Sequence, residues 1–304
     1  MAFSSVDQEL QQLLREVRHI RVQSNRLVQG AMAGGYRSLF RGTGIEFEEV
    51  REYAEGDDPR TVEWNVTARM GRPFVKRFVD ERQLNLAFLL DLSASMECGF
   101  GAWSARQMAA RVCACLMLAA VQHDDRVAFL GYDQDVRRFE SPQKGLSHVL
   151  RIVRDFLSLP AAVGKSDPAP ALRKAAQNLP PHSAVFLVSD FLGDGWQPAL
   201  QECAKRHEVV AVRLIATELR KLPSGLWSLQ DAEGHARRLV DGDDPSVRAQ
   251  YKQRVEAWDM ETRQMLQQAG VALLDVPIPT VADPDAVARP ILQFFQRRQG
   301  RGRS

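Results

Sequence analysis

Asp91, Ser93 and Ser95 place one carboxylate and two hydroxyls at every second position of Asp91-Leu-Ser93-Ala-Ser95, directly after the apolar run LNLAFLLD at 84–91. Hard oxygen donors spaced in this way can converge on one small cation if the segment curls over the end of a strand. Magnesium takes six oxygens and commonly keeps several waters, so a few protein ligands suffice. Two further positions can complete such a shell: Ser166 in GKSDPAPAL, and Asp190, which ends the apolar run AVFLVSD. Separate carboxylates at one sheet edge repel each other unless a cation lies between them. Asp and Ser also cap helices, and a helix is predicted to follow, so DLSAS alone reads equally well as an N-cap. Ser166 and Asp190 turn the reading toward metal.

Other chemistries fit less well. Gly164-Lys-Ser166 suggests a phosphate loop, but that loop needs glycine five positions before Gly164, where Leu159 stands. An acidic residue at a strand end with magnesium also describes a phosphohydrolase using Asp91 as nucleophile. Such chemistry usually adds a second carboxylate two residues on, where this chain has Ser93, and no suitably placed lysine or histidine replaces it. The six histidines are scattered, none paired at i, i+4.

The elements that must position these residues follow from periodicity. LNLAFLLD (84–91) reads as a strand buried on both faces and AVFLVSD (184–190) as another buried strand. RVAFLGYD (126–133), EVVAVRLI (208–215) and GVALLDV (270–276) read as further strands, and VRRF (136–139) can pair with RVAFLGYD as an antiparallel edge. Helix-length patterns alternate with them at about 107–122, 145–158 and 169–178, with another marked by Trp196, Leu200 and Cys203. This alternation predicts an α/β fold with a doubly wound, mostly parallel sheet, in which ligands bind past the carboxyl ends of strands. An insertion at 217–269 reads as a hairpin turning near Glu233-Gly234 and a long helix after Pro245. Pro290 is expected to kink or restart the last helix.

The N-terminal 82 residues read as one amphipathic helix, with Ser5 and Gln8 resembling a capping box, and an extension of irregular shape. Within it, Gly56-Asp57-Asp58-Pro59-Arg60, with Trp64 and Arg69, reads as an ion-pair knot or as a functional surface. The domain itself is expected at 83–298, and residues 299–304 form a disordered, arginine-bearing tail.

The 40 Lys and Arg nearly cancel the 38 Asp and Glu, leaving +2, which gives no reason to expect nucleic acid or an anionic membrane as partner. Cys98, Cys113, Cys115 and Cys203 form no spaced framework and read as reduced core thiols. The start MAFSSVDQELQQLL lacks the basic and apolar regions of a secretion signal. The longest apolar stretch, Val112 to Val121, is far short of the roughly 20 residues of a membrane span. A cytoplasmic protein without a membrane span is the expectation.

DLSAS, the serine of GKSDPAPAL and the aspartate of LVSDF together resemble the three parts of the metal-ion-dependent adhesion site of von Willebrand factor A domains. The wider chain, from about 36 to 296, resembles the bacterial domain-of-unknown-function-58 family, with RGTGIEFEEVREYAEGDDPRTVEWNVTARMGRPFVKRFVDE matching its N-terminal signature. The resemblance implies a von Willebrand factor A-like fold and a divalent cation (Mg2+, or Mn2+ or Ca2+) held by Asp91, Ser93, Ser95, Ser166 and Asp190. It further implies a protein partner that offers an Asp or Glu to the metal, and an adaptor or assembly role beside a MoxR-type AAA+ ATPase, so a binding module and not an enzyme. The second part of the motif usually supplies threonine; here Ser166 stands there, and Asp167 is an alternative ligand.

Overall fold

The computed structural model describes residues 5–23, 46–54, 57, 62–79, 83–99, 101–160, 166–216, 220–230, 237–283 and 285–301. The chain divides into two compact units, Arg41–Gln83 and the combination of Met1–Phe40 with Leu84–Ser304.

In the smaller unit, β1 (Glu46–Glu52) pairs antiparallel with β2 (Phe74–Val79), and a short helix α2 (Trp64–Met70) lies between them in sequence. Glu63 caps α2 by accepting from the Asn65 amide. Gly71 closes it at φ 69°, a left-handed conformation that glycine adopts without steric penalty. The Asp57 carboxylate takes both terminal nitrogens of Arg51, at 2.7 and 2.8 Å, and the Ala54 amide. Asp57 thus pairs with Arg51, a residue outside the segment expected to form a knot, and Gly56, Asp58, Pro59 and Arg60 lie outside the described residues.

The larger unit is built on a six-stranded sheet. Its strands are β3 (Asn85–Asp91), β4 (Arg126–Tyr132), β5 (Val136–Gln143), β6 (Ala184–Ser189), β7 (Glu208–Ala216) and β10 (Ala272–Ile278), in the order β10-β7-β6-β3-β4-β5. Every neighbouring pair is parallel except β4–β5, the antiparallel edge that VRRF predicts. The order steps outward from β3 to β4 and β5, then returns to β6 on the other side of β3. The chain therefore switches direction between β3 and β6, where a crevice opens past the strand ends.

Each central strand buries both faces. Leu86, Phe88 and Leu90 of β3 and Ala184, Phe186 and Val188 of β6 enter one core, while Ala87, Leu89, Val185 and Leu187 enter the other, as period-two alternation requires. Phe88 stacks on Phe186 with centroids 5.0 Å apart. The first core is covered by α1 (Ser5–Gln23), α3 (Ala105–Gln122), α4 (Leu146–Ser158) and α8 (Asp285–Arg301), the second by α5 (Ala169–Asn178), α6 (Gln197–Arg206) and the carboxyl half of α7 (Pro245–Gln268). The α1 helix docks through buried Leu13, and its Glu16 carboxylate meets Arg111 of α3 at 2.7 Å. The capping box at Ser5 lies outside the described side chains.

Two sequence expectations are corrected. The α8 helix is a single element through Pro290, so the proline does not restart it. Proline there removes one early hydrogen bond, and the burial of Val287, Ile291 and Phe295 along one face outweighs that loss. Cys98 is an exposed thiol that follows the tight turn after β3, whereas Cys113 lies in the first core and Cys203 in the second. The insertion forms the expected hairpin, β8 (Leu226–Gln230) with β9 (Arg237–Asp241), followed by α7; the tip of the hairpin lies outside the described residues. Asp244 caps α7 by accepting from Ser246 N at 2.7 Å, and Pro245 opens it. Among the described residues no helix is long and apolar enough to cross a membrane.

Candidate functional site

The central strand β3 ends in a carboxylate because Asp91 is its last residue, at the switch point, with 1% of its surface exposed. Its neighbour Ser93 is fully buried. Asp91 Oδ1 accepts from the Ser93 amide at 2.9 Å, which curls the chain into a 3-10 turn over Ala94–Glu97. Within that curl Ser93 Oγ and Ser95 Oγ lie 3.0 Å apart. The helix-cap reading of DLSAS fails for the long helix that follows. That helix, α3, is capped by Ser104, which shares a capping box with Gln107.

Two other loops arrive at the same carboxylate. Ser166 Oγ donates to Asp91 Oδ1 at 3.0 Å, and Ser189 Oγ, from the last residue of β6, donates to Asp91 Oδ2 at 2.7 Å. Asp190 follows directly and is only partly buried, so it reaches solvent. The Ser95 hydroxyl and the Leu192 amide both bond to it, the latter at 3.1 Å. Asp91, Ser93, Ser95, Ser166 and Asp190 are thus gathered in one cluster. Asp167 is otherwise engaged, since its Oδ1 accepts from Ala169 N at 2.8 Å at the start of α5. Between Asp91, Ser166, Ser189 and Asp190 lies a recess of about 10 Å³, the room of one water-sized sphere.

The electrostatics of this cluster are unbalanced. Burial, and then the neighbouring charge of Asp190, push the Asp91 carboxyl up to about 6, against the pull of hydrogen bonds from Ser93 and Ser189. Burial also raises Asp190, opposed by the Ser95 hydroxyl and the Leu192 amide. Among the described residues no lysine, arginine or histidine forms an ion pair with either carboxylate. Nor do three His, Cys, Asp or Glu side chains gather anywhere among them as a metal cluster, so any cation here would rest on two carboxylates and serine hydroxyls. That donor set is hard oxygen throughout, which suits a small divalent cation and not a thiophilic one.

Three supporting residues escaped sequence reasoning. Ser189 directly precedes Asp190 at the end of β6, and strand parity turns it inward beside Asp91. Arg106, on α3 and 4% exposed, spans two of the loops. Its Nη1 meets Glu97 Oε1 at 2.7 Å, its Nε donates to Phe156 O at 3.2 Å, and its Nη2 donates to the carbonyls of Phe156 and Leu159. One guanidinium therefore ties the turn after β3 to the end of α4, from which the chain proceeds toward Ser166. Trp258, on α7, donates from Nε1 to the Phe191 carbonyl at 3.1 Å, beside Asp190.

Fold and sequence together define the class: an α/β domain with a mostly parallel, doubly wound sheet whose central strand ends in a DxSxS turn at the switch point. The chain belongs to the family described as "Protein of unknown function DUF58", which matches residues 49–261. An uncharacterised protein of Mycobacterium tuberculosis is 27% identical over 277 residues, covering 90% of this chain and 86% of that protein. Among solved structures, the conserved hypothetical protein BatB from Bacteroides thetaiotaomicron is 15% identical with a TM-score of 0.42, over 71% of this chain and 99% of that one. Proximal thread matrix protein 1 from the mussel byssus, in a structure with a zinc-occupied MIDAS motif, is 15% identical with a TM-score of 0.34, over 43% of this chain and 38% of that one.

Proposed function

We propose that this chain is a metal-dependent protein-interaction module, in which Asp91, Ser93, Ser95, Ser166 and Asp190 surround one Mg2+ or chemically similar cation. The observation that carries the reading is the convergence of two carboxylates, both raised by burial, with three serine hydroxyls at the carboxyl ends of β3 and β6, with no basic partner among the described residues. A divalent cation supplies the missing positive charge. The serine hydroxyls already lie against these carboxylates, so they can turn their protons toward the carboxylate oxygens and their lone pairs toward the metal. Neutral serine hydroxyls, and carboxylates acting largely through water, leave the cation electrophilic. A partner Asp or Glu then completes its shell and adds charge.

The domain so proposed covers 83–298, with the N-terminal helix packed on the first core and the 217–269 insertion as an appendage. An assembly role beside a MoxR-type AAA+ ATPase belongs to the proposal as the resemblance implies it, and co-purification in magnesium and in chelator tests it. The phosphohydrolase reading is disfavoured because Ser93 and Ser189 flank Asp91, where acid–base chemistry calls for a second carboxylate or an imidazole. Magnesium titration by calorimetry is the deciding experiment. One-site binding that disappears in Asp91→Ala is expected, and undiminished binding in that variant removes the site.

A further inference from the structure

The third metal loop, Asp190 to Trp196, carries its backbone in an unusual shape. Phe191 has φ of +59° and Gly195 of +83°. Glycine adopts such angles freely, whereas phenylalanine does so only at a steric penalty and must be held there by its surroundings. Two indoles supply that hold. Trp196 Nε1 donates to the Gly193 carbonyl at 2.8 Å from within the loop, and Trp258 Nε1 donates to the Phe191 carbonyl at 3.1 Å from α7. The Phe191 ring is buried and meets the Trp196 ring edge-on at 5.5 Å. The far side of the loop is fixed as well, since a side chain at Gly193 would come within 3.1 Å of the Ser166 carbonyl.

Trp258 is itself anchored. The Arg213 guanidinium, fully buried on β7, sits 5.2 Å above its ring and binds Asp275 at 2.7 Å and Asp259, the residue after Trp258, at 2.8 Å. Arg263 closes the group by bonding Asp259 at 3.0 Å and Asp275 at 2.5 Å. An ionic clamp between β7, β10 and α7 thus fixes one indole N–H against one loop carbonyl. From this we infer that Trp258 is a positioning residue of the cation site, through which the insertion helix holds Asp190 in reach of Asp91 and Ser95. The inference rests on the metal-binding reading above. Without the N–H, the Phe191 carbonyl loses its partner and the left-handed turn its restraint. The loop then relaxes to ordinary backbone angles and carries Asp190 away from the other ligands.

The test uses the full chain and magnesium alone. Trp258→Phe keeps an aromatic ring for Arg213 and deletes the donor. Replacing Trp258 with benzothienylalanine, in which sulfur stands for the indole N–H, keeps the shape as well. Both are expected to bind magnesium about tenfold more weakly than the parent chain, the size of one lost hydrogen bond. The melting temperature in chelator should stay within about 2 °C for the benzothienyl variant, where packing is unchanged. Parent-like affinity in both variants overturns the inference and leaves the metal site standing. A weakened affinity accompanied by a large fall in melting temperature of the benzothienyl variant also overturns it, because the role is then structural. Failure of the parent chain to bind magnesium sinks the underlying reading, and the inference with it.

Discussion

Replacing Asp91 by Asn should abolish cation binding and yet make the metal-free chain more stable. Asp91 titrates at about 6 in the fold against an ordinary 3.8, chiefly because it is buried and secondly because Asp190 is charged. The folded chain therefore holds this proton more tightly than the unfolded chain, and stability contributed by this group falls as pH rises from about 4 to about 6. Above that window the charged carboxylate costs the fold roughly 3 kcal/mol, at about 1.4 kcal/mol for each tenfold change in proton affinity. Asn keeps the Oδ1 acceptor for Ser93 N and Ser166 Oγ and carries no charge. It does forfeit the bond in which Asp91 Oδ2 accepts from Ser189, a loss of about 1–2 kcal/mol. The net is a stabilisation of about 1–2 kcal/mol, or a rise of roughly 4 °C in melting temperature for a domain of this size. Thermal denaturation near neutral pH reads both effects, first in chelator and then in magnesium. Magnesium at 100 times its dissociation constant should stabilise the parent chain by about 2.7 kcal/mol and Asp91→Asn not at all. A less stable Asp91→Asn in chelator, or an equal response to magnesium, would refute the reasoning.

Ser166→Ala should weaken magnesium binding by about tenfold or less in calorimetry, since water can take the place of one neutral ligand. Magnesium affinity of the parent chain should fall as pH drops through about 6, because the proton that binds Asp91 competes with the cation; a titration series across pH 5 to 8 checks this. Arg106→Ala strands Glu97 and the carbonyls of Phe156 and Leu159 and should lower stability by about 3 kcal/mol in urea denaturation. Phe88→Ala, which empties the stacked pair at the sheet centre, should lower it by about 3–5 kcal/mol in the same assay without changing the magnesium affinity of the fraction that remains folded.

The sheet was readable from the sequence because its central strands bury both faces. LNLAFLL and AVFLVS admit little besides a strand covered on two sides, and those two strands carry the site. β1 was not readable: EFEEVRE alternates charge with apolar residues too irregularly to declare a face, and its partner Phe74–Val79 lies across a loop and a helix. Asp91, Ser93 and Ser95 were legible because their spacing is local. Arg106 and Trp258 were not, because they act on carbonyls 50 and 67 residues away, and no local pattern encodes such a contact. The positive φ of Phe191 was hidden for the same reason. Glycine or asparagine would have announced it, whereas here tertiary hydrogen bonds impose the angle on a residue that does not favour it.

The most direct test of the account is a crystal structure grown in manganese, read by anomalous scattering. The account predicts a single strong peak past the ends of β3 and β6, in coordination distance of Ser93 Oγ and Ser95 Oγ and within reach of Asp91, Ser166 and Asp190, directly or through water. No peak there at millimolar manganese, or a peak held by other side chains, would contradict it.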